Sequence, residues 1–251
     1  MAAGGGAQVR EAGLAADELG RVRFTTSAGV HGAPLAEFAL LGVLAGAKRL
    51  PRLLAEGRTR TWPGRWTMGQ VAGSTVLVLG LGGIGAETAR RLAALGARVI
   101  GTSRRGQSVA GVDELIHPDR IRDVMPRVDA LVTTLPGTHH TTHLVDADVF
   151  AAARDGLTVV NVGRGTVIDE HALIAALETG RVGFAALDVF ETEPLPEGNA
   201  LWDRDDVLVS PHTAALSERE EERIADLFAE NATRLLDGRP LRNVVDTVEF
   251  Y

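Results

Sequence analysis

Two spacings of apolar residues take turns along the chain. Thr75 to Leu79, Arg98 to Thr102, Ala130 to Leu135, Leu157 to Val162, Phe184 to Val189 and Val207 to Ser210 are short apolar runs closed by glycine or polar residues. Continuous runs of this kind fit parallel strands covered on both faces. Helical spacing fills the gaps. Pro34 to Glu56 reads as a long helix with Leu35, Phe38, Ala39, Leu41, Leu44 and Ala45 on its apolar face, and Pro51 should kink it or end its first half. Gly83 to Leu95 carries Ile84, Thr88, Leu92 and Leu95 on one side, with Gly96 as its stop. Ile121 to Val128, Val145 to Ala153, Glu170 to Thr179 behind an Asp169 N-cap, and an amphipathic Ser217 to Leu236 complete the set. Strands and helices of these lengths in alternation give an α/β fold with a doubly wound parallel sheet. Right-handed crossovers then put every strand C-terminus on one edge, where such folds bind ligands.

Composition narrows the classes. There is no cysteine, which removes disulfides, thiol catalysis and cysteine-based metal sites, and fits a reducing cytoplasm. The net charge of −7 with no long Lys/Arg block argues against nucleic acid as a partner. No apolar run reaches the roughly 18 residues that span a bilayer, so no membrane is expected. Met1 to Gly6 lacks the basic start and apolar stretch of a signal peptide and reads as a frayed end.

The first strand runs straight into Gly80-Leu81-Gly82-Gly83-Ile84-Gly85. This G-x-G-x-x-G string opens the next helix, which is the context a dinucleotide fingerprint requires. Gly80 makes the turn, Gly82 lets backbone approach a pyrophosphate, and Gly85 lets helix and strand pack closely. The helix N-terminus, with Gly83 and Ile84 in its first turn, offers unpaired N–H groups to the phosphates. An NAD site places a carboxylate at the end of the second strand. Here that end reads Thr102-Ser103-Arg104-Arg105, and no Asp or Glu occurs between Glu87 and Asp113. Arginine grips a 2′-phosphate that a carboxylate would repel, so Ser103, Arg104 and Arg105 favour NADP over NAD.

Further strings appear in a fixed order. They are Ala33-Pro34-Leu35-Ala36-Glu37, Leu135-Pro136-Gly137-Thr138-His139-His140-Thr141, Val160-Asn161-Val162-Gly163-Arg164-Gly165, Leu187-Asp188-Val189-Phe190-Glu191-Thr192-Glu193-Pro194 and Ser210-Pro211-His212-Thr213. With the glycine loop, they resemble the D-isomer-specific 2-hydroxyacid dehydrogenase family from about Thr25 to Asp246, most closely its glyoxylate/hydroxypyruvate reductases. The resemblance implies a catalytic trio of Arg164, Glu193 and His212. Histidine is the natural proton donor to a keto oxygen near neutral pH. A carboxylate orients its ring, and arginine offers a planar fork to the substrate carboxylate. Asp188 would contact the nicotinamide carboxamide, Thr134, Pro136 and Thr141 would line the adenine and ribose side, and Val162 would join the cofactor site. The implied substrate is a small 2-keto or D-2-hydroxy acid.

The resemblance also assigns residues 29–216 to the dinucleotide-binding domain, and 1–28 with 217–251 to a remnant of a flavodoxin-like substrate domain. The 33 residues ahead of Pro34 are too few for a core of their own, so the chain reads as N-terminally short. The helix from Pro34 to Glu56 is expected to form a homodimer contact. Three competing readings stand: an NAD-dependent 2-hydroxyacid dehydrogenase, a phosphoglycerate dehydrogenase, and a non-catalytic dinucleotide-sensing corepressor. His139 and His143 would share a helix face and suggest a metal, but Pro136 and Gly137 favour a loop and no further ligand is near. No metal is expected.

Overall fold

The structure, a computed structural model, describes residues 6–60, 62–104 and 106–248. The frayed-end reading of the first residues and the assignment of Arg105 therefore lie outside the described residues. In chain order the elements are α1 (Ala7–Glu11), α2 (Ala16–Arg21), α3 (Gly32–Ala47), α4 (Leu50–Thr59), β1 (Thr75–Leu79), α5 (Gly83–Ala94), β2 (Arg98–Thr102) and β3 (Glu114–Ile116). There follow α6 (Ile121–Val124), β4 (Ala130–Thr133), α7 (Ala147–Ala152), β5 (Leu157–Asn161), α8 (Glu170–Glu178), β6 (Val182–Leu187), β7 (Val207–Val209) and α9 (Glu220–Leu236). They fall into two compact units, one of residues 34–214 and one of residues 6–33 with 215–248.

The larger unit holds a seven-stranded, all-parallel sheet in the order β3-β2-β1-β4-β5-β6-β7. This is the doubly wound sheet that the alternating pattern predicts. Its central strands are buried along their length because each is an apolar run with a helical layer on both faces. Leu77, Leu79, Leu131, Leu157 and Val159 meet Phe150, Leu173 and Met125 in the main core. The edge strand β3 is not predicted by the sequence reading. It has only three residues, and its Glu114 turns to the Arg98 and Arg127 guanidiniums instead of into the core. The expected helix from Ile121 to Val128 is one α-turn with a 3-10 turn on either side, broken at Pro126. Asp169 caps α8 as expected, accepting from the Ala172 N–H at 3.0 Å.

The long helix expected from Pro34 to Glu56 is two helices. Pro51 has no N–H to give the Ala47 carbonyl, and the chain breaks there with Arg49 at φ 51°. The buried face of α3 is the expected one in part, with Leu35, Ala39 and Ala45 buried as expected. Ala36 and Val43 are buried too, whereas Leu41 and Leu44 face outward. Small residues decide this, because they let the helix backbone lie directly on the sheet. A Cβ on Gly42 would come within 2.7 Å of Val160 Cγ2, and one on Gly46 within 2.1 Å of Thr158 Oγ1. Arg91 ties α5 to α3 by bonding Glu87 at 2.7 Å and Glu37 at 3.0 Å.

In the smaller unit, Thr25 and Val244 form an antiparallel bridge. Buried Asn231 of α9 holds residue 242 from both sides, donating to the Arg242 carbonyl at 3.1 Å and accepting from its N–H at 2.8 Å. The short helices α1 and α2 are further elements that the sequence reading does not predict. No helix among the described residues is long and apolar enough to cross a membrane.

The packing of α3 gives a paired test. Alanine for glycine inside a helix normally stabilises by about 0.5–1 kcal/mol. That gain is expected for Gly57→Ala, where an added Cβ meets nothing within 4 Å among the described residues. Gly46→Ala is expected to destabilise instead, by about 1–3 kcal/mol, because the helix must lift off Thr158. Urea unfolding midpoints of the two variants measure the difference.

Candidate active site

The strand ends converge on one rim because the whole sheet is parallel. On its β1 side, Gly80 turns the chain at φ 90°, a conformation closed to most side chains. Its N–H donates to Thr102 Oγ1 at 2.9 Å, and its carbonyl accepts from Thr134 Oγ1 at 2.9 Å. A Cβ on Gly85 would sit 1.8 Å from the Gly80 carbonyl oxygen. Only glycine lets α5 start this close to the strand end. Gly82 is the extended N-cap and Gly83 and Ile84 begin α5, with no side chain capping its free N–H groups. Among the described residues nothing lies within 4 Å of a Cβ placed on Gly82 or Gly83. The loop is thus tight where it meets protein and open where a pyrophosphate would lie. Glu87, one turn further along α5, is neutralised by Arg90 and Arg91, which hold its carboxyl down at about 2.

At the end of β2, Ser103 Oγ accepts the Gly106 N–H at 3.1 Å. Arg104 is exposed and has no hydrogen-bond or ion-pair partner among the described residues. The next carboxylate along the chain, Asp113, accepts the Val99 N–H at 2.8 Å. Val99 lies three residues before the end of β2, about 10 Å back at strand spacing. Asp113 is therefore bound toward the opposite end of β2 from Arg104.

Residues 134–145 form a loop of turns, as Pro136 and Gly137 indicate. Thr141 Oγ1 donates to the Pro136 carbonyl at 2.7 Å and accepts the Thr138 N–H at 2.8 Å. Thr134 and Thr141, expected to line a ligand, are thus first of all builders of the loops they sit in. Thr102, which fixes Gly80, is a site residue that the sequence reading misses; a strand-end threonine gives no distinctive signal. The rings of His139 and His140 lie 3.7 Å apart, and His143 turns to Glu191. No group of three or more possible metal ligands occurs among the described residues.

The ends of β5, β6 and β7 carry the rest. Val162 is buried at the end of β5, and its N–H donates to the Thr133 carbonyl at 3.1 Å. Buried Asn161 shapes the turn beyond: its Oδ1 accepts the Gly163 N–H at 3.0 Å and its Nδ2 donates to the Arg164 carbonyl at 3.1 Å. Arg164 is left exposed; its guanidinium donates to the Gly163 carbonyl at 2.7 Å, and no carboxylate is paired to it among the described residues. A Cβ on Gly165 would lie 1.8 Å from the Phe190 carbonyl carbon, so the Arg164 turn is pressed onto the loop after β6. In that loop Glu193 Oε1 accepts the Phe190 N–H at 3.0 Å, and Glu193 Oε2 meets His212 Nδ1 at 2.7 Å. The expected Glu193–His212 pair is thus in direct contact, and Arg164 is on the neighbouring turn.

His212 is held at φ 55° by its own N–H, which donates to the Asp188 and Ser210 carbonyls at 3.0 Å each. Asp188, only 1% exposed, organises this turn. Its Oδ1 accepts from Ser210 Oγ at 2.5 Å and from the N–H groups of Thr213 and Ala214 at 2.9 Å each. Those contacts leave Nε2 of a half-exposed His212 without a protein partner among the described residues.

A glycine-rich strand-to-helix turn and an acid-oriented histidine on one rim define a dinucleotide-dependent oxidoreductase domain. Residues 40–214 match the family described as D-isomer specific 2-hydroxyacid dehydrogenase, NAD binding domain, and the chain belongs to that family. It is similar to a D-isomer specific 2-hydroxyacid dehydrogenase from Xanthobacter autotrophicus Py2 solved with NADPH and MES. The two are 36% identical with a TM-score of 0.81, over 92% of this chain and 94% of that one. An NADPH-dependent glyoxylate/hydroxypyruvate reductase from Sinorhizobium meliloti, solved with NADP and sulfate, is 31% identical with a TM-score of 0.82, over 92% of this chain and 73% of that one. The D-3-phosphoglycerate dehydrogenase of Archaeoglobus fulgidus is 33% identical over 84% of this chain and 40% of its own length. The chain spans 58% of the length of one matched curated relative and 38% of that of another.

Removing the Asp188 carboxylate strips an acceptor from two part-buried N–H groups and a buried hydroxyl at once. Asp188→Ala is expected to lower unfolding stability by about 2–4 kcal/mol, and Ser210→Ala by about 1 kcal/mol. Chemical denaturation of both variants checks the ratio.

Proposed function

We propose that this protein is an NADP(H)-dependent reductase of small 2-keto acids of the glyoxylate or hydroxypyruvate type, and that Arg164, Glu193 and His212 carry the reaction. The single observation that supports it most is the His212–Glu193 contact of 2.7 Å at Nδ1. It leaves Nε2 as the ring atom that can hold a proton for a substrate oxygen. Glu193 fixes the ring orientation, so that Nε2 is the atom presented to the substrate oxygen. The Arg164 guanidinium, free of any carboxylate among the described residues, is available to take the substrate carboxylate in a two-pronged bond. It also stabilises negative charge growing on the keto oxygen.

The residues fit the cofactor. Open space over Gly82 and Gly83 and the uncapped start of α5 suit a pyrophosphate. Gly80 and Gly85 hold the turn, and Ile84 contributes its place in the first helical turn. Ser103, Arg104 and Arg105 would hold the 2′-phosphate, with no carboxylate at the end of β2 to oppose it. Thr134, Pro136, Thr141 and Val162 would flank the nucleoside. Asp188 would turn its second oxygen, which has no protein partner among the described residues, to the nicotinamide carboxamide. When bound, NADPH supplies the hydride. Two relatives solved with NADP(H) support this choice. Relatives described as phosphoglycerate dehydrogenases keep an NAD-dependent reading open, but the Thr102-to-Arg104 segment does not favour it.

The unit of residues 6–33 and 215–248 is proposed to belong to a substrate-binding domain. Outward-facing Leu41, Leu44, Leu53 and Leu54 on α3 and α4 support a homodimer contact there.

Steady-state reduction of glyoxylate and hydroxypyruvate tests the reading. Turnover with NADPH should exceed that with NADH, and Arg104→Ala should weaken NADPH by about tenfold while leaving NADH unchanged, the worth of one charge-assisted phosphate contact. Equal losses for both cofactors would remove the 2′-phosphate assignment. His212→Asn should lower kcat by about 10²–10⁴-fold; undiminished turnover in that variant would remove the proton-donor assignment.

A further inference from the structure

The loop that carries Glu193 is held by a second histidine. His143 Nε2 lies 2.7 Å from Glu191 Oε1, so Glu191 and Glu193, two residues apart, each face an imidazole. Glu191 is locked in turn to α8. Its Oε1 accepts the Glu170 N–H at 3.1 Å, and its own N–H donates to Glu170 Oε2 at 3.3 Å. Asn199 Nδ2 fixes the other Glu170 oxygen at 2.6 Å. Glu191 follows Phe190, whose N–H is the donor that Glu193 Oε1 accepts at 3.0 Å. Glu191 is thus anchored one residue from the N–H on which the Glu193 carboxylate rests, and two residues from Glu193 itself.

The backbone around His143 does not need its side chain. Its N–H already donates to the Thr166 carbonyl at 2.8 Å, and Val145 pairs with Ile168. His143 stands at φ 51°, a conformation that Asn, Asp and His adopt more readily than other non-glycine residues.

We propose that His143 is a positioning residue: through Glu191 it sets the turn that presents Glu193 to His212, and so couples the loop after β4 to the proton donor. Its catalytic consequence rests on the reading of His212 as that donor; its structural consequence does not. With Glu193 on Nδ1, neutral His212 is held with its proton on Nδ1 and Nε2 bare, the reverse of the form that free histidine prefers. The ring-nitrogen shifts of ¹⁵N-histidine-labelled protein report this directly. His212 is assigned by the peak lost in His212→Asn.

In His143→Leu, the Nδ1–H form of His212 is expected to fall by about half or more. The kcat for 2-keto acid reduction should fall about tenfold, with KM for NADPH within about twofold of wild type. His143→Gln, whose side-chain amide can still donate to Glu191, should restore both. The two variants carry the same left-handed backbone, so their difference reads the hydrogen bond alone. If His143→Leu does not fold, His143→Asn, which suits the left-handed backbone but stops short of Glu191, should shift the His212 ring signals in the same direction. Unchanged His212 signals in His143→Leu overturn the proposal, as does a His143→Gln variant as damaged as His143→Leu. A shifted tautomer in a protein that reduces no 2-keto acid would uphold the positioning role and overturn the proposed function instead.

Discussion

At two points on the rim of this sheet, backbone lies against backbone with no room for a side chain, and the rest of the site is built around them. Gly85 meets the Gly80 carbonyl, and Gly165 meets the peptide after Phe190; an added Cβ would sit 1.8 Å away in either place. The first contact brings the N-terminus of α5 up to the end of β1. The second brings the turn carrying Arg164 against the loop carrying Glu193. Neither contact supplies chemistry, but both set the distances at which chemistry becomes possible, because packed backbone is far stiffer than packed side chains.

Charged and polar groups complete the arrangement by occupying one another. Glu87 is taken by Arg90 and Arg91 and Asp113 by the Val99 N–H, so neither carboxylate is directed at the end of β2. One oxygen of Asp188 holds three donors and sets the turn on which His212 stands. Among the residues singled out at the rim, Arg104, the Arg164 fork and Nε2 of His212 are left without carboxylate partners among the described residues. A cation or donor kept free in this way is the kind of group that a phosphate, a carboxylate or a developing alkoxide can use.

The legible parts of this molecule are those whose cause lies within a few residues. The apolar runs give six of the seven strands, and the glycine spacing marks the turn after β1. Asp169 announces the start of α8, and Pro51 announces the break between α3 and α4. What escapes reading has a distant cause. The short strand β3 exists because it pairs with β2, and its Glu114 answers to Arg98 and Arg127. Leu41 and Leu44 look like core but face outward because glycines at 42 and 46 pull the opposite side of α3 onto the sheet. Thr102 acts on Gly80 across 22 residues and His143 on Glu191 across 48, separations at which no local pattern survives. The Glu193–His212 pair, 19 residues apart, was reached through family resemblance and not through spacing.

The central claim is that the glycine loop and the Arg164, Glu193 and His212 groups serve a single bound pair of molecules. A crystal structure of the protein with NADPH and oxamate, an inert mimic of a 2-keto acid, tests it most directly. The oxamate carboxylate is expected on the Arg164 guanidinium with its amide carbonyl oxygen about 3 Å from His212 Nε2, and the pyrophosphate at the start of α5. Oxamate seated away from Arg164 and His212 while NADPH fills the glycine loop would contradict it.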